Sequence, residues 1–90
     1  MKKNGQKTLD RLSRIEGQVR GVAGMVKADR YCMDILAQTA AIRSAMLAVD
    51  KLILEHHAEQ CVETAIKSGD PVEQREKFNE LIQLLQKASR

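Results

Sequence analysis

Residues 29–68 read DRYCMDILAQTAAIRSAMLAVDKLILEHHAEQCVETAIKS, and the spacing of apolar residues within them decides the fold. No Gly or Pro occurs between Met25 and Ser68, so nothing breaks a helix along this stretch. Ile35, Thr39, Ile42, Met46, Val49 and Ile53 recur at alternating steps of four and three, the spacing of a helix seam buried against other helices. The stretch is therefore expected to form one long central helix.

A neighbouring row on the same helix runs Cys32, Leu36, Ala40, Arg43, Leu47, Asp50, Leu54, His57, Cys61. Both cysteines and His57 thus share one side, whereas His56 points about 100° away. His57 and Cys61 are one turn apart and can reach a common point. Cys32 cannot join them within one chain, because the 29 intervening steps at roughly 1.5 Å each put it about 43 Å from Cys61. A second copy can close the gap. Two such helices crossing antiparallel near Met46 and Leu47 would set Cys32 of one chain beside His57 and Cys61 of the other, twice per dimer.

Outward from this helix, the N-terminal side carries Leu9, Leu12, Ile15, Val19, Val22 and Val26 at helical spacing, a first amphipathic helix from about Lys7 to Lys27. Gly17, Gly21 and Gly24 weaken that helix in isolation, and their spacing predicts close approach by another helix. Asp29 is the expected N-cap of the central helix, placing Tyr31 and Cys32 in its first turn. On the C-terminal side, Ser68-Gly69-Asp70-Pro71 supplies a helix stop, a cap and a first helical residue, with Glu73 at the capping-box position. A third helix follows, with Phe78, Leu81, Ile82 and Leu85 as its apolar stripe and Lys87 and Arg90 at its C-terminal dipole. The expectation is an all-α, three-helix protomer forming a single domain over residues 1–90. Two protomers would pair antiparallel into a four-helix-bundle core.

Composition agrees. A 90-residue chain has little core to bury alone, and oligomerisation supplies more. Trp is absent, and Tyr31 and Phe78 are the aromatic residues, a composition suited to packed helices. Charge is uneven: residues 1–30 hold eight basic residues against three acidic ones, a net +5, leaving −2 for the rest of a chain of formal net charge +3. A basic N-terminal third points to a polyanion, nucleic acid ahead of membrane because the basic helix has no bulky aromatic face; plain solvation of a charged face is the alternative. No stretch reads as long and apolar enough to span a bilayer, and Met1-Lys2-Lys3-Asn4-Gly5 leads into a charged helix, so a cytoplasmic protein is expected. In that reducing compartment Cys32 and Cys61 suit a buried thiol, a metal ligand or a redox switch better than a permanent disulfide.

Two thiols and an imidazole form a soft donor set that favours Cu(I) or Zn(II). Three protein ligands suit Cu(I), whereas structural Zn(II) wants a fourth, and His56 points away. A His and a Cys four apart are also compatible with ordinary helix packing, so the weight falls on Cys32 sharing their row. Tyr31 and a third-helix carboxylate such as Glu80 could form an outer shell that fixes the imidazole tautomer through its non-ligating nitrogen.

The segments RLSRIEGQVRGVAGMV (11–26), DRYCMDILAQTAAIRSA (29–45), LEHHAEQC (54–61) and NELIQLLQK (79–87) resemble the copper-sensing operon repressor family, CsoR, with its nickel/cobalt- and formaldehyde-responsive relatives RcnR and FrmR. The Cys, His and Cys that define its copper branch match Cys32, His57 and Cys61, and its outer-shell Tyr and Glu match Tyr31 and, across a short insertion around Asp70 to Gln74, Glu80. The resemblance implies an antiparallel all-α dimer, paired again into a disc-shaped homotetramer, that represses metal-efflux genes until the inducer binds. It implies DNA held by basic residues of the first two helices. Arg11 and Arg14 match that pattern, while Lys7, Arg20 and Arg43 are named from charge and position. Nickel/cobalt sensors carry an N-terminal His, absent from Met1 to Gln6, and formaldehyde sensors an N-terminal Pro where this chain has Lys2. The persulfide-sensing branch lacks the His, so His57 argues for metal.

The expected function is a transcriptional repressor that binds operator DNA in the metal-free form. It would be released by Cu(I), one ion per protomer shared between subunits, with a copper chaperone as a candidate metal donor. A persulfide- or other thiol-reactive-species-sensing repressor of the same fold is the alternative, and a copper chaperone or storage bundle is the alternative from another class. An enzyme is not expected, because no oxyanion-stabilising loop or substrate pocket is suggested.

Overall fold

The computed structural model describes Met1 and residues 4–88 and contains three helices: α1 (Gly5–Lys27), α2 (Cys32–Ser68) and α3 (Pro71–Ala88). α1 and α3 each pack along α2 and, among the described residues, not against one another, giving an elongated body of 59 × 26 × 13 Å. Arg90, expected beside Lys87 at the end of α3, lies outside the described residues.

Two tight turns set this arrangement. The first is not where the sequence placed it: Asp29 closes α1 instead of capping α2. It takes a left-handed conformation, φ +54°, while its N–H donates to Val26 O (3.1 Å) and the Arg30 N–H donates to Met25 O (3.0 Å). Those two bonds are the Schellman pattern, in which a left-handed residue lets the chain satisfy the last carbonyls of a helix. Tyr31 becomes the N-cap residue of α2, in an extended conformation. The second turn is as expected: Gly69 is left-handed (φ +63°), and Asp70 Oδ1 accepts the Val72 N–H at 3.0 Å. The capping box itself does not close, because the Asp70 N–H donates to Ser68 Oγ (3.2 Å) and so needs nothing from Glu73. Gln74 adds a tie from α3 to α2, its Nε2 donating to Ala65 O at 3.0 Å.

The interior of one protomer is thin. Ile15, Val49, Cys61 and Ala65 are its buried apolar residues, with Thr8 the buried polar one. Part of each expected seam is covered and part is not. On α2, Ile35, Thr39, Ile42 and Val49 turn inward, but Met46 and Ile53 are exposed. On α1, Ile15 and Val22 turn inward, leaving Leu9, Leu12, Val19 and Val26 exposed. On α3, Leu81 is half-buried while Phe78, Ile82 and Leu85 stay largely open. The reason is geometric: each helix is apolar over a wider arc than a single neighbour can cover. The glycine expectation also fails within the protomer, since nothing lies within 4 Å of a Cβ built at Gly17, Gly21 or Gly24.

The same excess corrects the membrane reading. α2 is by length and composition apolar enough to cross a bilayer, although only 6% of the qualifying window is buried here. A helix at the centre of a multichain bundle has that composition too.

Candidate metal centre

The Gly69 turn folds α3 back along the last turns of α2, and this brings a carboxylate onto the His/Cys pair. His57 Nε2 lies 3.2 Å from Cys61 Sγ on the next turn of the same helix. From α3, Glu80 Oε1 reaches the same Nε2 at 3.4 Å. Donor atoms of His57, Cys61 and Glu80 all fall within 4.8 Å of one another, the one such group among the described residues. The thiol is buried and the other two side chains are partly exposed, so the group opens to solvent on one side.

The contacts on Nε2 order the imidazole. Nε2 has two polar neighbours, Cys61 Sγ and Glu80 Oε1: with its proton on Nε2 the ring can donate to either, and with its proton on Nδ1 it can accept from the Cys61 thiol. A carboxylate set against an imidazole nitrogen is the kind of contact by which outer carboxylates orient metal-binding histidines. Glu80 has a second partner, Lys77, whose Nζ stands 3.7 Å from Oε2. Lys77 also joins Val62, Ala65, Phe78 and Leu81 around Cys61, lining an apolar nook too tight for water. Sequence reading missed Lys77, although its place one turn before Glu80 was visible.

Other site candidates are not brought here. Cys32 is an exposed free thiol at the far end of α2, and Tyr31 beside it is also exposed. Both are out of reach of His57 on the same chain. His56 faces away from the group and is half-buried. Among the basic residues, Lys7, Arg14, Arg20 and Arg43 are exposed and Arg11 is half-buried. Arg11 and Arg14 border a cleft between α1 and α2 with Ile15, Gln18 and Ala45. Arg20 is paired with Glu16 at 3.4 Å, which compensates part of its charge.

Three helices carrying a thiol, an imidazole and a carboxylate at one end, and a second thiol at the other, define a small all-α protein with a group of side chains that could hold a metal ion. The chain belongs to the metal-sensitive transcriptional repressor family, whose model matches residues 4–87. That is a family of regulators, not of enzymes. The chain is 59% identical, over 61 residues, to the copper-sensing transcriptional repressor CsoR of Bacillus subtilis; the match covers 68% of this chain and 60% of that relative's length. The structure is similar to that of the copper-sensing repressor CsoR with Cu(I) from Geobacillus thermodenitrificans (TM-score 0.83, 40% identity, covering 100% of this chain and 91% of that one). It is also similar to the nickel-responsive transcriptional regulator InrS (TM-score 0.80, 40% identity, covering 92% of this chain and 90% of that one).

Proposed function

We propose that this chain, acting as a single domain over residues 1–90, is a cytoplasmic copper-responsive repressor. It holds operator DNA when metal-free and lets go when Cu(I) binds. The observation that carries this is the division of the soft donors: His57 and Cys61 stand together under Glu80, while Cys32 lies exposed at the opposite end of α2. Across an antiparallel pair of α2 helices, Cys32 of a second copy completes a Cys/His/Cys set, with Tyr31 carried in beside it. The exposed apolar rows of α1 and α2 supply the surface for that pairing, and a further pairing gives a dimer of dimers.

The residues present fit Cu(I). Two thiols and an imidazole are soft donors, and the one oxygen donor nearby, Glu80, is already engaged by His57 and Lys77. Cu(I), when bound, supplies strong bonds to sulfur and nitrogen that hold the three side chains together. His57, Cys61 and Cys32 of a second copy would hold the ion, each thiol giving up its proton to do so, and Glu80 would steady the imidazole from the Nε2 side. Because the donors belong to two chains, their being drawn together favours one relative placement of the subunits. Arg11 and Arg14, with Lys7, Arg20 and Arg43, lie on α1 and α2 of those same subunits and form the phosphate-binding surface. A ligand shifts such an equilibrium only through its differential affinity for the two states, and a coupling of about 1–3 kcal/mol is typical.

Fluorescence anisotropy on promoter DNA, with anaerobic Cu(I) titrated into wild type and Cys32→Ala, tests this. Wild type is expected to lose DNA affinity as copper is added and Cys32→Ala to lose much less. DNA binding unaltered by Cu(I) in wild type refutes the copper reading, and release by a persulfide donor alone would move the assignment to a thiol-reactive signal.

A further inference from the structure

We propose that Lys77 is a positioning residue of the metal centre: it keeps Glu80 on the imidazole of His57 and off the metal, so that the site remains a three-donor site selective for a soft ion. This rests on the metal-site reading above and deepens it.

Glu80 could act in either of two ways. Its carboxylate is near enough to His57 and Cys61 for all three to ligate one ion, donor atoms lying within 4.8 Å. With Cys32 of a second copy, that would make four donors, two sulfurs, a nitrogen and an oxygen, a set suited to tetrahedral Zn(II). Alternatively, Glu80 stays behind the ring, leaving a soft three-donor set. The fold does not make this choice, since the copper-sensing and nickel-responsive structures resemble this one about equally, with TM-scores of 0.83 and 0.80. Residues at the site must make it.

Lys77 is placed to do so. Oε1 of Glu80 meets His57 at 3.4 Å and Oε2 meets Lys77 at 3.7 Å, so the carboxylate is held at both oxygens. Glu80 is half-exposed and long, and without the second contact it would spend more of its time in other rotamers. Lys77 is itself restrained, because its side chain lines the apolar nook over Cys61 with Phe78 and Leu81. The Gln74 bond to Ala65 O, three residues earlier, fixes this face of α3 against α2. The ammonium also draws on the negative charge that a hard cation would seek at Glu80.

The test combines two measurements on the full chain. In the metal-free protein at a pH where His57 is neutral, long-range proton–nitrogen correlation NMR reports its tautomer. A carboxylate held against Nε2 favours the ring form that donates from it, so wild type is expected to show a larger Nε2–H fraction than Lys77→Met, and Lys77→Arg the wild-type pattern. Competition between Cu(I) and Zn(II), each added as the metal alone with a chelator of known affinity, is expected to shift toward Zn(II) by roughly two- to fivefold in Lys77→Met, the scale of a partly exposed ion pair. Adding Glu80→Gln to Lys77→Met should abolish that gain. Lys77→Gln serves as a second charge-removing variant should Lys77→Met lose helix content. An unchanged tautomer ratio on removing the charge, or a Zn(II) gain that survives Glu80→Gln, overturns the proposal. Should wild type bind copper yet keep its DNA, the repressor reading falls while the tautomer result still supports the role of Lys77.

Discussion

At the scale of single residues, the contacts of His57 tie one ring to two helices. Nε2 lies 3.4 Å from a carboxylate of another helix and 3.2 Å from the Cys61 thiol of its own. Any movement of the ring would therefore be felt at Glu80 on α3. The sequence exposed the His57/Cys61 spacing, but it could not say which nitrogen Glu80 would meet, because that depends on how α3 lies on α2. Asp29 illustrates the reverse. Its composition suggested a cap, yet its φ of +54° makes it the left-handed residue of a Schellman turn, a position where an L side chain is strained and a negative charge faces the carbonyl end of α1. Asp29→Gly should raise stability by about 0.5–1 kcal/mol, read as a higher urea midpoint at constant slope. A lower midpoint would show that the carboxylate makes a bond that outweighs the strain.

At the scale of elements, α3 is the part whose placement makes the site, and its anchor is the Gly69–Asp70 turn. No atom lies within 4 Å of a Cβ built at Gly69, so a side chain there meets only backbone strain. Gly69→Ala should destabilise the protein by roughly 1 kcal/mol, and Asp70→Ala by about as much through loss of the bond to the Val72 N–H. Both are measured by chemical denaturation. A change below about 0.3 kcal/mol in both would mean that α3 is held by its apolar contacts and the Gln74 bond, not by its turn. On α1 the charges differ in their partners: Arg14 is exposed and has no ion pair among the described residues, while Arg20 is held by Glu16. Arg11→Ala and Arg14→Ala should each flatten the salt dependence of DNA binding by about one unit in log–log slope, and Arg20→Ala by less. Equal effects at all three positions would show that the Glu16 pair gives way on binding DNA.

At the scale of the whole molecule, a protomer this thin leaves much apolar surface uncovered. Leu9, Leu12, Val19 and Val26 on α1 and Met33, Leu36 and Leu47 on α2 are exposed together with Met46 and Ile53. Sedimentation velocity should therefore find a dimer or a larger species at micromolar concentration. Leu47→Glu, near the midpoint between Cys32 and Cys61, should shift it toward monomer by placing a charge in the seam. The same variant should bind Cu(I) more weakly, because Cys32 of another copy is no longer held near His57 and Cys61. A monomeric wild type with full copper affinity would remove the shared site.

By itself, the sequence determined the three helices, the Gly69–Pro71 turn, the row that carries Cys32, His57 and Cys61, and the conclusion that one chain cannot unite them. These follow from helical periodicity and rise, which are local properties of the backbone. Tertiary structure alone decided that Asp29 ends α1, that Met46, Ile53, Phe78 and Ile82 stay open in the protomer, and that Glu80 meets Nε2 with Lys77 at its other oxygen. Those outcomes depend on the angle at which one helix lies against the next. That angle is set by which parts of several broad apolar arcs meet, and it leaves no periodic trace in any single helix.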